Sequence, residues 1–401
     1  MAILSGGGGG RQRTNSICIV RRRVTKIVLL KMNDKLIISA ALAVLVLSCA
    51  SCSFHEVKTD NPEFIPDTAF VSFEDFTSPK FAALKAKYQL DTIFHGETDE
   101  LKRILLLRNW IKSQIKIDNE GPYPGDGSPE GILDQAAKGH GFHCGHYMVV
   151  QNAVMNAYGY VTRCLGAGEG APNELEIHHG INEIWLNTFH KWFLSDAKYN
   201  YHFEKNGIPL SALEVRDEYL KNKAADITLV KGPDRVPTEI YPELNNRPKE
   251  FFARIYTWVT WEKYNNKYML WPNDSSDIVM YLDHYTKTHT WIREGKPHWA
   301  YNTRYLHMVP DRKAIEWTPN VISSKVTIEG NKSRIELNSN SPNLKTYQMK
   351  ELPDGNPMAS GWKDVSNNLE IELKKNLNEM LFRTVNLAGV TGPEHKIIIG
   401  R

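Results

Sequence analysis

Helical patterns dominate the first half of the chain. Apolar residues recur at steps of three and four directly behind Cys144, and Gly159 then supplies a stop signal, which predicts a helix starting at or near that cysteine. Further helices are predicted over residues 79–88, 97–115, 129–137 and 208–222. The cysteine would therefore lie beside the unpaired backbone N–H groups of a helix start, which stabilise a thiolate.

A β-hairpin is predicted behind this helix. Strands are expected over residues 160–165, 176–186 and 191–195, with loops at 166–175 and 187–190. With the second loop as the turn, the numbers of paired residues sum to 377, so Trp185 faces Trp192 and Ile181 lies opposite Asp196. His179 and Asp196 then become diagonal neighbours on one face, with backbones about 7–8 Å apart.

The remaining chain changes character twice. Residues 206–320 form a predicted extension with aromatic residues concentrated at 251–305, which either pack domains together or bind sugar rings or peptides at a surface. Residues 321–401 consist of short alternating runs between turn residues, which predict an all-β sandwich. The loop at 386–393 (NLAGVTGP) is similar to one found in Ig-like or fibronectin-type modules of secreted bacterial enzymes.

The N-terminal region indicates export. The apolar run LIISAALAVLVL is too short for a permanent membrane helix and predicts a signal peptide over residues 32–48. Small residues before Cys49 resemble a bacterial lipobox, which implies lipidation of Cys49; a plain secretory signal is the alternative. Residues 1–31 are expected to be a leader or a misassigned start, and 49–70 a polar tether. This pattern predicts a membrane-anchored lipoprotein on the outer-membrane, periplasmic or cell-surface face.

Composition narrows the candidate chemistry. The 401 residues suffice for two or three domains, and a net charge of +3 gives no reason to expect a nucleic-acid partner. Of five cysteines, only Cys144 and Cys164 lie outside the N-terminal region, too few for a disulfide framework. We expect Cys164 to be a small buried residue, whereas Cys144 is either a nucleophile or a buried structural thiol.

A cysteine, a histidine and an aspartate follow one another at 144, 179 and 196, the order of a thiol triad. In such a triad Cys144 attacks an acyl carbonyl, His179 handles the proton, and Asp196 orients the imidazole. A backbone N–H at the start of the cysteine helix would stabilise the oxyanion.

Three motifs carry a resemblance to the transglutaminase-like superfamily, which has a papain-like fold. They are GILDQAAKGHGFHCGHYMVVQNAVMNAYGYVTRC around the cysteine, HGINEIW at 179–185, and WFLSDAKYN at 192–200. The resemblance implies an α+β transglutaminase-like domain over residues 71–205, with Cys144 as nucleophile, His179 as base and Asp196 as orienting carboxylate. It places His178 one position before the motif histidine, and so makes it the poorer candidate for the base.

Two departures from the family pattern stand out. Ile181 replaces the usual aromatic residue and Gly180 replaces a small residue, which suggests a more open pocket beside the histidine. The cysteine is also surrounded by more histidines than the pattern requires, and these offer an alternative metal site. Its candidate ligands are His140, His143, Cys144, His146, His178 and His179. Their crowded spacing matches no zinc motif, and no EF-hand spacing occurs, so neither a metal nor a cofactor is expected.

The sequence thus predicts a secreted thiol enzyme that acts on amide bonds of peptides, proteins or glycopeptides through a thioester, with hydrolysis preferred. Cross-linking of protein glutamines to amines is the first alternative. The second is a non-catalytic lipoprotein that binds peptide or glycan through the aromatic-rich region or the sandwich.

Overall fold

The chain is described by a computed structural model over eleven ranges. These are residues 56–59, 61–70, 72–168, 178–241, 246–265, 278–289, 292–293, 296–297, 306–356, 360–374 and 377–400. The predicted leader, signal peptide, lipidation site at Cys49 and first part of the tether lie outside the described residues. From His55 to Arg401 the chain forms one compact unit.

Seven helices are described, and Asp99, Ser128, His143 and Ser211 each cap the first turn of the helix that follows them. The helices are α1 (Pro79–Lys87), α2 (Glu100–Gln114), α3 (Pro129–Ala137), α4 (Cys144–Ala157), α5 (Ala212–Asn222), α6 (Lys249–Arg254) and α7 (His284–His289). Short 3-10 turns lie at Leu90–Phe94, Ile255–Thr257, Arg312–Ala314 and Pro353–Gly355. No helix in the described part of the chain is both long and apolar enough to cross a bilayer.

The helix predicted over 208–222 begins later than expected. Ser211 and Glu214 form a capping box, in which each side chain accepts from the other residue's backbone N–H, so α5 starts at Ala212. Ile208–Pro209 instead forms a short strand. Helical periodicity alone therefore placed the start of this helix too early.

The strands vary from two-residue pairings to long ladders. The first are β1 (Glu56–Lys58), β2 (Ser72–Phe73), β3 (Lys116–Ile117), β4 (Gly141–Phe142), β5 (Thr162–Gly168), β6 (His178–Leu186), β7 (Lys191–Ser195), β8 (Tyr201–Lys205), β9 (Ile208–Pro209), β10 (Thr228–Lys231), β11 (Val236–Pro237), β12 (Ile240–Tyr241) and β13 (Arg247–Pro248). The others are β14 (Trp258–Glu262), β15 (Tyr264–Asn265), β16 (Ile278–Tyr281), β17 (Ile292–Arg293), β18 (Lys296–Pro297), β19 (Leu306–Val309), β20 (Ile322–Glu329), β21 (Lys332–Ser339), β22 (Leu344–Glu351), β23 (Lys363–Val365), β24 (Asn368–Glu372), β25 (Leu377–Asn386) and β26 (His395–Gly400).

A six-stranded sheet in the order β19-β16-β14-β5-β6-β7 organises the first part of this unit. The predicted hairpin register is confirmed, because Trp185 pairs with Trp192 and Asn182 with Ser195. Strand β5 runs to Gly168, so the loop predicted from 166 starts later. Helices α1 to α4 pack with hairpin residues such as Ile184 in one core, while α5 and α6 pack with residues such as Ile181 in a second.

Strands from both sides of the predicted domain boundary at 205 share this sheet, since β14 pairs with β5 and with β16. Three aromatic residues of the extension, Tyr256, Trp258 and Trp261, are buried, as expected for residues that pack elements together. The predicted aromatic positions 268, 271, 291, 299 and 301 lie outside the described residues.

The C-terminal part consists of two antiparallel sheets around a shared core. One sheet has the order β1-β26-β25-β22-β23 and the other β20-β21-β24. Ile335 from the smaller sheet and Phe382 and Ile397 from the larger sheet belong to the same buried cluster. The predicted strands are thus present in two layers, and Glu56 near the N-terminus pairs with Gly400 at the other end of the chain.

Candidate active site

Cys144 is the first residue of α4, as its sequence context predicts. The preceding loop is held in place because β4 pairs in parallel with β3 and the Phe142 carbonyl accepts from the Asp118 N–H at 3.1 Å. His143 caps the helix, with its Nδ1 accepting from the Gly145 N–H at 3.0 Å. Cys144 is the more exposed of the two free cysteines in the described residues, since Cys164 is buried.

His179 and Asp196 are in direct contact at the end of the hairpin. Nε2 of His179 donates to Oδ2 of Asp196 at 2.6 Å, and both side chains are buried. Because Nε2 faces the carboxylate, Nδ1 is the ring nitrogen left for the thiol. The other carboxylate oxygen, Oδ1, accepts from the Tyr199 N–H at 3.0 Å, and the Tyr199 ring stacks on the imidazole with centroids 5.6 Å apart.

The thiol and the imidazole form a charged pair. Burial alone raises the pKa of Cys144, but hydrogen bonds with His143 and His179, the positive charge of His179 and the Gly180 N–H outweigh burial and lower it to about 4. Burial lowers the pKa of His179, but the Asp196 carboxylate and the Cys144 thiolate raise it to about 9. Burial likewise raises the pKa of Asp196, but the neighbouring His179 outweighs burial and holds the pKa of Asp196 below its ordinary value.

Two further residues that the sequence analysis did not single out, Lys198 and Gln151, support this pair. Lys198 is 4% exposed and donates from Nζ to the Asn119 side chain at 2.7 Å. Burial lowers the pKa of Lys198, while the negative charges of Cys144 and Asp196 raise it, so an ammonium lies within the electrostatic reach of both. Gln151 of α4 donates to Ser195 at 2.6 Å and fixes the strand end next to the aspartate.

The departures from the family pattern do not open the site toward α4. A Cβ added to Gly180 would lie 3.4 Å from Cα and N of Gly145, so the strand packs directly against the first turn of α4. Ile181 is 1% exposed and pairs with Leu165 inside the second core. The expectation of a more open pocket beside the histidine is therefore wrong at Ile181, and at Gly180 it stays a prediction.

The additional histidines have separate surroundings. His140 is exposed. His146 is buried against the rings of Tyr123, Phe142 and His143, and burial followed by the nearby His143 lowers its pKa to about 3, so it stays neutral. Within the described ranges, no three His, Cys, Asp or Glu side chains converge in a way that could hold a metal ion. The side chain of His178 lies outside the described residues.

The sequence contains some of these supporting residues in a recognisable motif but does not show their roles. Lys198 and Tyr199 lie within the quoted motif WFLSDAKYN, but no spacing rule shows that the lysine is buried or that the tyrosine stacks on the imidazole. His143 precedes the helix and is not among the residues preferred at that capping position. Its capping and thiol contacts become visible only in three dimensions.

The comparison with protein families agrees with the fold. Residues 88–197 match the family model described as the Transglutaminase-like superfamily, so the chain contains a transglutaminase-like domain. Among solved structures, red sea bream transglutaminase is similar over 86% of this chain and 76% of its own, with 11% identity and a TM-score of 0.23. At that TM-score the similarity supports no inference. The curated proteins contain no match.

Proposed function

We propose that the protein is a thiol hydrolase of amide bonds in peptides, proteins or glycopeptides. The observation that carries the proposal is the continuous contact from the Cys144 thiol through His179 to Asp196 at the start of a helix. Transglutaminase-like domains are typical of cysteine-dependent acyltransferases and hydrolases, and this site has the side chains that such chemistry requires.

The proposed reaction passes through a thioester. The Cys144 thiolate attacks the amide carbonyl carbon, and the oxyanion that forms accepts hydrogen bonds from backbone N–H groups at the helix start. Imidazolium His179 gives its proton to the leaving nitrogen, the C–N bond breaks, and the amine departs. Neutral His179 then takes a proton from water, which attacks the thioester, and the acid is released as Cys144 leaves as thiolate.

The Cys144 N–H is the proposed oxyanion donor. The first four amides of a helix have no intrahelical partner, and in this helix the Gly145 N–H is already bonded to His143. The Gly180 N–H contacts the thiolate itself and stabilises it before attack.

Acylation of Cys144 is the decisive experiment. The full chain is treated with p-nitrophenyl acetate and then with glutamine-containing peptides, and the peptide that contains Cys144 is analysed by mass spectrometry. We expect the glutamine peptides to form a thioester on Cys144 that is strongly reduced in Asp196→Asn, because their leaving amine needs a proton from His179. The thioester should be unchanged in the control His140→Ala, whose side chain is exposed in the same loop. Equal acylation of Cys144 by the peptides in all three proteins would contradict the proposal.

The acceptor is determined in the same experiment. Added pentylamine competes with water for the thioester, and the acid and the amide product are quantified separately. Acid forms when water is the acceptor, so predominant acid supports hydrolysis. We expect this result, because a surface protein meets water more readily than a selected lysine. Predominant amide would instead assign the cross-linking activity of a transglutaminase.

Export is part of the proposal. The predicted signal peptide and Cys49 imply a lipid-anchored protein outside the cytoplasm, where peptide and glycopeptide substrates are accessible. Labelling of growing cells with radioactive palmitate, compared between the native chain and Cys49→Ala, tests the anchor.

A further inference from the structure

A cleft lies where Asp67, Phe70 and residues 72–75 meet Trp317 at the end of the extension and Asn340 of the two C-terminal sheets, called the β-module below. It has a volume of about 310 Å³. The rings of Phe70, Phe73 and Trp317 line it together with the polar side chains of Asp67, Glu74 and Asn340. It is separate from the thiol: Trp317 packs on Trp192, and Asp196 follows Trp192 by four residues, about 13 Å along the strand.

Two residues that line the cleft, Glu74 and Trp317, each have one buried polar atom without a hydrogen-bond partner in the described part of the chain. Glu74 is 5% exposed, and its Oε2 accepts from Lys80 at 2.6 Å, but Oε1 has no partner within the described residues. Trp317 is fully buried, and its Nε1–H also has no partner in this part of the chain. Such atoms are costly to bury, and here one donates and the other accepts. A hydroxyl group can satisfy either of them.

Aromatic rings supply an apolar wall beside these atoms. The Trp317 ring lies 6.2 Å from that of Phe70 and 5.6 Å from that of Phe73, measured between centroids. Phe70 and Phe73 are only partly buried and lie in the N-terminal segment. An apolar wall with hydrogen-bonding groups at its edge matches a sugar ring, which has a C–H face and a rim of hydroxyls.

The carboxylates of the cleft do not favour a cationic ligand. Three carboxylates line the cleft. Oδ1 of Asp67 accepts from the N–H groups of Ala69 and Phe70 at 3.1 and 2.9 Å, and Oδ1 of Asp75 accepts from the N–H and the hydroxyl of Thr77 at 2.9 and 2.7 Å. Glu74 is paired with Lys80. An ammonium ion, moreover, has only donors and could not accept from the Trp317 N–H. The polar groups therefore fit a neutral ligand with hydroxyls better than an amine.

We propose that this cleft binds one neutral sugar ring, either as a unit of a glycan or as a free monosaccharide. Ligand clefts range over about 300–1,000 Å³, and this cleft lies at the lower end, which suits a single ring rather than a long chain. One face of the ring stacks on Phe73 and Phe70, and its hydroxyls bond to Glu74, Asn340 and Trp317. This site goes beyond the proposed amide chemistry and does not depend on it.

The test measures sugar binding to the full chain. Glucose, galactose, mannose and N-acetylglucosamine are titrated by isothermal calorimetry and by saturation-transfer NMR. At least one should bind with a millimolar or smaller Kd, and Phe73→Ala should weaken it about tenfold by removing the stacking ring. Phe73→Tyr should retain binding because the ring remains.

Two further variants keep the test interpretable. Trp362→Ala removes a partly buried aromatic ring of the β-module that lies under Arg383 rather than in the cleft, and should leave the Kd unchanged. If Phe73→Ala fails to fold, Asn340→Ala replaces it, with an intact thermal transition as the criterion. The three cleft variants should leave alkylation of Cys144 unchanged.

Several outcomes would overturn the proposal. They are the absence of binding for all four sugars at tens of millimolar, the same weakening in Trp362→Ala, or binding of putrescine in place of every sugar. A crystal soaked in sugar that shows only ordered water beside Glu74 and Trp317 would also overturn it. Because Cys144 reactivity is measured separately, failure of the sugar site is distinguishable from failure of the proposed enzyme.

Discussion

Replacing His179 with alanine tests the charged pair most directly. The substitution removes a hydrogen bond and a positive charge from the Cys144 thiolate but leaves the contact with His143 and the Gly180 N–H. A nearby opposite charge shifts a pKa by about 1–3 units, so the pKa of Cys144 should rise from about 4 by roughly that amount. We expect it to remain below the ordinary thiol value of about 8.5.

The alkylation rate at a single pH would be a poor measure of this change. At pH 6, a thiol with a pKa of about 4 is almost fully ionised, whereas one at about 8.5 is roughly 0.3% ionised, a difference of about 300-fold. Thiolate nucleophilicity, however, falls with pKa by a Brønsted factor of about 0.4–0.5, which over this span removes about 100-fold. The two effects leave a net gain of roughly threefold, so the midpoint of the pH profile is the informative quantity.

The assay follows iodoacetamide labelling of Cys144 from pH 3 to pH 10, with the peptide identified by mass spectrometry. Cys164, which is 1% exposed, serves as an internal reference for exposure of the core. The native protein should have a midpoint near pH 4, and His179→Ala a clearly higher one. His140→Ala should match the native profile, since that side chain is exposed and lies in the same loop.

Two results would refute this reasoning. A native midpoint near the ordinary thiol value would show that no charged pair forms in solution. An unchanged midpoint in His179→Ala would show that the helix start and His143 alone ionise the thiol, so His179 would lose its assigned role. Catalysis is expected only between about pH 4 and pH 9, where Cys144 is deprotonated and His179 is protonated.

Further predictions concern stability, measured by chemical denaturation. Gly141→Ala should destabilise by about 1–3 kcal/mol, because the new Cβ would lie 2.6 Å from that of Asp118, whereas the matched Gly361→Ala, with no atom within 4 Å, should be near neutral. Glu183→Gln should lower the free energy of unfolding by about 3–5 kcal/mol, because it removes the carboxylate that pairs with the buried Arg163. A loss below 1 kcal/mol would contradict this. Burial lowers the pKa of His395 to about 4, below its unfolded value of 6.5, so its neutral form contributes stability that is lost as the pH falls from 6.5 through 4, by up to about 3 kcal/mol. His395→Gln should reduce this dependence of the unfolding free energy on pH, and an unchanged pH dependence would exclude His395 as its source.

The local part of the site could be predicted from the sequence. A four-residue loop between two strands sets their register, and the register alone placed His179 and Asp196 on one face. The start of α4 at Cys144 followed from its apolar spacing and the glycine behind it. In both cases the signal lies within about twenty residues of the group that it positions.

The non-local part could not be predicted from the sequence. The burial of Lys198 depends on Asn119 in a distant loop, and the packing of Trp192 on Trp317 joins residues far apart in the chain. The predicted boundary at 205 followed the extent of the family resemblance, which cannot show that β14 inserts between β5 and β16. The assignment of the C-terminal module as Ig-like remains a prediction.

The pairing of β1 with β26 has a consequence for the order of folding. Glu56 and Gly400, which are partners in this ladder, are separated by 344 positions (400 − 56). During synthesis from the N-terminus, β1 must therefore wait for the last strand of the chain. Until then β1 has no partner strand. Afterwards, any loss of β1 leaves the backbone of β26 as an open sheet edge, which is prone to pair with another molecule. Proteolytic trimming before residue 61 should thus promote self-association while leaving the thiol site intact.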